Sequence, residues 1–339
     1  MKKNNNILLG HGSGGKLTRR LIEDVFAAAF KNDLLAPLND QAIFSLPPGR
    51  LAFTTDSYVV NPIFFPGGDI GKLSVCGTIN DLVVGGAVPA YLSASFIIEE
   101  GMDIDELVLI VRSMAETAVA SGVAIVTGDT KVVERGKGDR VFITTTGIGV
   151  VRDSIDLSPS RIRPGDAVII SGTIGDHGIA IMTKREGIEM DVPVESDCAA
   201  LHTLTRDMLA IATDGEIRAM RDPTRGGLAT VLNEFAGSSG TAIAVREDSI
   251  PVKEAVKGAC EILGFDPLYL ANEGKLVAVV AKGPAEKVLS AMKKNPLGRD
   301  AAIIGEVRET PKGKVLLETS IGNTRIIDML SGEQLPRIC

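Results

Sequence analysis

Two apolar periods alternate along this chain, and that alternation limits the folds open to it. Leu51 to Val60, Tyr91 to Ile98, Val123 to Thr127 and Val141 to Val151 have the length and β-branched content of strands. Between them Gly71 to Gly85 reads as a helix, and Ile104, Leu107, Val111, Met114 and Ala118 recur at the spacing of a long amphipathic helix. An earlier helix over about 17–30, marked by Leu17, Leu21, Val25 and Phe26, follows a glycine cluster. Strands interleaved with helices require an α/β layer. A chain of 339 residues suggests two domains, and the Pro164, Gly165, Asp166 turn ahead of the apolar strand Ala167 to Ile170 marks their junction. The second half repeats the mixture, with helices near 176–186, 197–212, 225–237, 252–263 and 284–294 and strands near 241–245, 276–281, 301–307 and 314–327. The expected organisation is an N-terminal glycine-rich segment and helix (1–38), a first α/β domain (39–157), a second domain (158–328) and a mobile arm (329–339).

Charge and cysteine placement exclude several classes of function. With 36 Lys and Arg against 43 Asp and Glu, the net charge of −7 argues against a general nucleic-acid binder. The longest uncharged run, Leu82 to Ile98, holds Gly85, Gly86 and Pro89 and falls short of a membrane span. Ile7 to Leu9 is too short an apolar block for a signal peptide. Cys76, Cys198, Cys260 and Cys339 are too far apart for a zinc knuckle or a disulfide framework, so a reducing cytoplasm is expected. His11, His177 and His202 make no zinc ligand set.

Several residues carry chemistry. His11, Gly12, Gly14 and Gly15 run into a helix N-terminus beside Lys16, a setting that offers backbone N–H groups to phosphate oxygens and equally suits a ligand-free turn. The segment is not a Walker loop, because Leu17 stands where a hydroxyl is needed. Asp40, Asp56, Asp81 after Asn80, Asp129 and Asp222 sit at element ends beside small or polar residues, as the oxygen ligands of Mg²⁺ do, although each alone suits a cap or turn. Lys131, two residues after Asp129, would point to the same side of an extended segment and could neutralise a phosphoryl group. Glu273 is a carboxylate in a turn, open to a role as general base or to none. Cys339 is terminal, on a polar arm whose last nine residues could extend about 30 Å. Cys76, Cys198 and Cys260 fall on expected helices as packing residues.

Taken together, His11 to Gly15, Phe64 to Gly68, Gly77 to Asp81, Ala124 to Val133, Ser171 to Gly178, Arg221 to Gly227, Ala271 to Lys275 and the ending Pro336, Arg337, Ile338, Cys339 resemble the aminoimidazole-ribonucleotide synthetase (PurM-like) superfamily. Within it, they resemble the carbamoyl dehydratases of hydrogenase maturation. Selenophosphate synthetases carry their reactive cysteine in the N-terminal glycine loop, whereas this chain has no cysteine before Cys76. The resemblance implies an α/β domain followed by an α+β domain, and homodimers formed through the N-terminal sheet. It also implies a Cys339 thiol that receives a carbamoyl group from a carbamoyltransferase partner, ATP-dependent dehydration to a thiocyanate, and delivery of cyanide to an iron-carrying maturation scaffold. Asp40, Asp56, Asn80, Asp81, Asp129, Asp222 and the glycine loop would hold ATP, with Mg²⁺ on Asp56, Asp81, Asp129 and Asp222. Lys131 would stabilise phosphoryl charge and Glu273 would be the base. Another ATP-using ligase or kinase of the superfamily, or a noncatalytic nucleotide-binding carrier, remains the alternative.

Overall fold

The computed structural model describes residues 5–213, 215–329 and 337–339. Helix α1 (Lys16–Leu21) continues as a π-helical turn (Ile22–Ala27), so the expected first helix forms with a change of pitch. There follow β1 (Arg50–Tyr58), a small hairpin of β2 (Phe64–Phe65) and β3 (Gly68–Asp69), α2 (Ile70–Val84), β4 (Ala87–Glu99), α3 (Ile104–Ala120), β5 (Ala124–Val133) and β6 (Val141–Val151). The four long strands form one sheet in the order β1-β6-β4-β5, with only β4 and β5 parallel.

Alternation along these strands decides which side chains can meet. Tyr58, Thr145, Ala94 and Phe96 are buried on the face covered by helices, where Thr145 donates to the Ser74 carbonyl of α2 at 2.8 Å. Phe53, 73 % exposed, and the hydroxyls of Thr55, Thr146, Ser57 and Thr144 lie on the other face, which no helix covers. Helix α2 is seated by Asp69, whose carboxylate accepts from the Gly71 and Lys72 amides at 2.7 and 3.2 Å. Gly71 also lets α3 approach, since a Cβ there would meet the Ile110 carbonyl oxygen at 2.3 Å.

The second half contains β7 (Ala167–Ile170), α4 (Asp176–Glu186), α5 (His202–Ile211), β8 (Ile217–Arg221), α6 (Gly227–Ser239), β9 (Ala242–Arg246), α7 (Glu254–Leu263), β10 (Val277–Val280), α8 (Ala285–Lys294), β11 (Ala302–Arg308), β12 (Lys314–Glu318) and β13 (Thr324–Ile327). The sheet order is β13-β12-β9-β11-β7-β10-β8, antiparallel except where β12 joins β9. This is an α+β arrangement rather than a second α/β half. One sheet face packs Val168, Ile170, Val277 and Val279 against Leu228, Leu232 and Phe235 of α6. The other packs Ile169, Ala278 and Val280 against α5 and α8, in a core continuous with that of the first domain.

Three local expectations change. The segment 314–327 is a hairpin, turned where the Thr319 amide donates to the Asn323 carbonyl at 2.8 Å. Strand β8 had no distinct apolar signal, being only five residues with two arginines. The helix expected from 197 starts at His202, because residues 197–200 form no regular structure and are held by tertiary hydrogen bonds at the domain junction. Asn80 of α2 is the main clamp on that segment. Its Nδ2 donates to the carbonyls of Ala199 and Glu273 at 3.0 and 3.2 Å, and its Oδ1 accepts from the Leu201 amide at 2.8 Å. Asn80 is 1 % exposed, and in this structure its side chain bonds across the domain junction. Asn80→Ala leaves two buried carbonyls and one amide without these partners and should destabilise the protein by about 3 kcal/mol. Chemical denaturation without ligand measures this directly.

Candidate active site

The domain junction collects polar groups from both halves. On β1, Thr54 and Asp56 point to the helix-covered face, and Thr54 Oγ1 donates to Asp81 Oδ2 of α2 at 2.8 Å. The turn after β8 supplies Asp222, Thr224 and Arg225. Gly227 is obligatory there: its φ is +60°, and a Cβ would meet the Leu270 carbonyl oxygen at 2.5 Å. Asp81, Asp222, Thr224 and Arg225 line a cleft of about 400 Å³.

Glu273 lies behind this cleft on a turn fixed from three sides. Asn272 Oδ1 accepts from the Gly175 amide at 2.8 Å, and its Nδ2 donates to the Pro223 and Leu270 carbonyls, both at 3.0 Å. Buried Asp197 accepts from the amides of Glu273 and Gly274 at 3.1 and 3.2 Å and from Lys275 Nζ at 3.1 Å. Burial opposes its charge, yet Lys275, together with the Glu273 amide, holds the Asp197 carboxyl below the usual range. Gly274 must be glycine, since a Cβ would lie 1.8 Å from the Asp197 carbonyl oxygen.

The C-terminus ends at this turn. Ile338 is buried, and the Cys339 thiol interacts with both the Glu273 carboxyl and the Arg225 guanidinium. The greater part of the arm expected to be mobile, 330–336, lies outside the described residues, while its last three residues are docked. Burial first, then the neighbouring Glu273, pushes the thiol far above its ordinary range, with Arg225 pulling the other way. Burial, Asp222, Asp197 and Asp56 likewise push Glu273 well up. At neutral pH the sulfur is therefore a thiol, beside a carboxyl whose protonated form burial favours. Glu273 Oε1 is buried with no hydrogen-bond partner among the described residues, so the acid has unused capacity.

The expected metal ligands separate. Burial pushes Asp222 up to about 7, reinforced by Asp81 and Asp56. Burial and Asp56 also raise Asp81, against its Thr54 hydrogen bond. These three carboxylates thus feel one another. Asp129 does not join them, because its partner on β4 is Ser95, on the open face, whereas Asp56 is opposite Thr145 on the covered face. Lys131 follows Asp129 on the open face and pairs with it at 3.3 Å, both well exposed. Within one protomer the four aspartates therefore do not converge on one cation, nor does Lys131 reach Cys339; among the described residues no three acidic, His or Cys groups are close enough to hold a metal alone. Asp40 lies in an exposed loop and, among the described residues, forms no ion pair with the cleft.

The glycine loop lies elsewhere, against the edge strand β5. Gly12 passes so close that a Cβ would meet the Val132 amide nitrogen at 2.5 Å, while Gly14 and Gly15 have open space. His11 Nδ1 accepts from the Leu8 amide at 2.9 Å, and the Gly14 amide donates to Thr18 Oγ1 at 2.9 Å. Arg225, Asp197 and Asn272 were not singled out from the sequence. Only their placement inside the Arg221 to Gly227 and Ala271 to Lys275 motifs, or just before a helix, could have pointed to them.

Comparison with known proteins decides the family. Residues 38–151 match AIR synthase related protein, N-terminal domain, and residues 163–318 match AIR synthase related protein, C-terminal domain. The carbamoyl dehydratase HypE of Cupriavidus necator is 55% identical over 99% of this chain and 96% of its own length. The chain belongs to the HypE carbamoyl dehydratases. A crystal structure of the hydrogenase maturation protein HypE in complex with ATP superposes with a TM-score of 0.94 at 49% identity, covering 98% of this chain and 99% of that one. HypE in a crystal structure of a HypE–HypF complex matches with a TM-score of 0.80 at 50% identity, over 91% and 99% of the two chains. In this HypE-family fold no helix among the described residues is long and apolar enough to cross a membrane.

The raised Asp222 gives a signed pH prediction. The unfolded carboxyl ionises near 3.8 and the folded one near 7, so the native state binds the extra proton between them and stability falls as pH rises through that window. Asp222→Asn removes this loss. In a chelator and without nucleotide, its melting temperature should exceed that of the parent by roughly 2 to 5 °C at pH 8 and converge with it near pH 4. Parallel melting curves across that range would refute the assignment of Asp222 as a strained, buried acid.

Proposed function

We propose that Cys339 carries a carbamoyl group as a thiocarbamate and that Glu273 removes a proton as the group is dehydrated to a thiocyanate, which then supplies cyanide to iron. The observation that carries the residue assignment is the contact of the terminal thiol with a buried carboxyl. In balance, R–S–C(O)NH₂ and ATP give R–S–C≡N, ADP, inorganic phosphate and a proton. ATP supplies the phosphoryl group that turns the amide oxygen into a leaving group. One N–H proton leaves as the oxygen is phosphorylated, and the other departs as the C–O bond breaks and the nitrile forms. Buried Glu273 is a stronger base than a solvated carboxylate once ionised, and its unpartnered Oε1 is free to accept an N–H proton. Arg225, beside the thiol and 3.9 Å from Asp56, would hold negative charge as phosphate forms.

The acid cluster suits Mg²⁺. That ion keeps waters and phosphate oxygens and needs only one or two protein carboxylates, which Asp81 and Asp222 with Asp56 nearby can provide. The mutual elevation of these groups is what a cation would relieve. Asp129 and Lys131 face away from this cleft, so a part for them at the nucleotide requires a second protomer. The open sheet face with exposed Leu51, Phe53, Val88 and Ile97 is the surface we assign to that homodimer. The glycine loop, with open space at Gly14 and Gly15, would then serve as a phosphate-binding element at the β5 edge. A carbamoyltransferase partner is supported by the HypE–HypF complex formed by a relative; an iron-carrying scaffold would accept the cyanide, and the reaction fits a cytoplasmic setting.

Two variants test this reading. Cys339→Ala should abolish loading while retaining ATP binding. Glu273→Gln should load carbamoyl on the tail and accumulate it undehydrated, with the rate of water loss reduced at least 100-fold. Intact mass of the C-terminal peptide, after incubation with a carbamoyl donor system and ATP, distinguishes thiol, thiocarbamate and thiocyanate. Water loss at the parental rate in Glu273→Gln would eliminate Glu273 as base, and ATP turnover untouched by loss of Cys339 would favour a superfamily ligase or kinase instead.

A further inference from the structure

The last residues of the chain are held mainly through main-chain atoms. The Arg337 carbonyl accepts from the Asn61 amide at 3.1 Å and from Arg185 Nη2 at 2.7 Å, and the Arg337 side chain pairs with Asp139 at 3.1 Å. The Ile338 carbonyl, one residue from the thiol, lies 2.8 Å from His177 Nε2. His177 is fully buried at the start of α4, with its ring edge-on to Phe65.

The partners of His177 settle its tautomer. A carbonyl oxygen only accepts, so Nε2 carries the hydrogen toward Ile338. Burial pushes the imidazole below its ordinary range, so the ring is neutral and Nδ1 is an acceptor. Ser196 Oγ, 2.8 Å from Nδ1, supplies that hydrogen and itself accepts from the Cys198 amide at 3.1 Å. The relay thus runs from the Cys198 amide through Ser196 and His177 to the Ile338 carbonyl, with each polar atom along it partnered. Asp197, between Ser196 and Cys198, orients the Glu273 turn. One three-residue segment therefore sets both the base and the strap that holds the thiol against it.

We infer that His177 is a positioning residue for the dehydration: its Nε2–H, oriented by Ser196, holds the Ile338 carbonyl and so registers the Cys339 group against Glu273 in the docked state, without being needed for loading of the thiol. The inference rests on the reading of Cys339 and Glu273 above, but its first readout does not. In the docked state the thiol is held protonated beside Glu273 and Arg225, so iodoacetamide alkylation of Cys339, read by mass on the C-terminal peptide, reports the undocked fraction.

The variants are His177→Leu, which removes the donor, His177→Gln, which retains an N–H in reach of the carbonyl, and Ser196→Ala, which leaves the ring but removes what orients it. In the full-length protein, His177→Leu should speed Cys339 alkylation roughly tenfold, Ser196→Ala somewhat less, and His177→Gln should return it toward the parental rate. With a carbamoyl donor system, the extent of loading should be unchanged in all three. In a single turnover with ATP, water loss from loaded His177→Leu should slow by at least the same factor, with unchanged ATP affinity. Parental alkylation and dehydration rates in a folded His177→Leu or Ser196→Ala protein would overturn the inference, as would a loss of loading equal to the loss of dehydration. Should His177→Leu fail to fold, Ser196→Ala decides by the same measures. If the parental protein itself takes up no carbamoyl group, the Cys339 reading fails while the alkylation series still decides whether His177 docks the tail.

Discussion

A buried carboxylate between two domains is costly unless its charge is neutralised, and Asp197 shows how this fold turns that requirement into a scaffold. Its oxygens are satisfied by two successive backbone amides and one lysine, which can occur only if the Glu273 turn is pressed directly against the 196–201 segment. Gly274 permits that approach on one side. Gly67, φ +91°, permits it on the other, where a Cβ would meet the Ser196 carbonyl oxygen at 2.6 Å. Asn80 then ties the same segment to α2. A change at any of these positions would displace the Glu273 turn and the docked C-terminus together, because they share one frame.

That frame also sets the electrostatics. Glu273, Asp222, Asp81 and Asp56 are drawn toward one cleft by groups that fix backbone rather than neutralise charge. The resulting desolvation and repulsion favour the protonated form of Glu273 and raise Asp222 to about 7. Arrival of positive charge would lower these carboxyls and favour their ionised forms, so under the proposed chemistry a carboxylate able to accept a proton becomes available as the site is filled. Exclusion of water by the docked tail has a second effect, since a nitrile-forming step in bulk solvent competes with hydrolysis.

Much of the fold was legible because its elements are long and periodic. Val141 to Val151 and Ala167 to Ile170 form strands within their expected bounds, and α3 follows its apolar stripe. The terminal thiol could be singled out by position alone. Other parts of the site could not be read in this way. Asp129 and Asp56 look alike in sequence, each an aspartate at an element end beside a small or polar residue. Their separation arises from strand register, which puts their neighbours Ser95 and Thr145 on opposite faces of one sheet. Asn80 and Asp81 are adjacent on one helix, yet one clamps the domains while the other lines the cleft. Asp197 was hidden inside an apparent helix, because local periodicity does not reveal the tertiary hydrogen bonds that keep its segment out of helix.

The contributions that hold the docked end of the chain nearly balance. Ordering the backbone of three residues costs about 3 to 6 kcal/mol. Arg337 adds roughly 1 kcal/mol through a φ of +56°, a conformation that residues with a Cβ adopt at a cost. Against this stand burial of the Ile338 side chain, about 2 to 3 kcal/mol, and three hydrogen bonds to main-chain carbonyls worth about 1 kcal/mol each. The opposing contributions nearly cancel, which fits the proposal that the thiol moves between a carbamoyl donor and an internal base. Under the proposed chemistry, a hold on the carbonyl beside the thiol rather than on the sulfur would let the sulfur change from thiol to thiocarbamate to thiocyanate without losing it. In such a balance a single interaction can decide the position of the thiol, which a large apolar anchor could not do without making the docked state permanent.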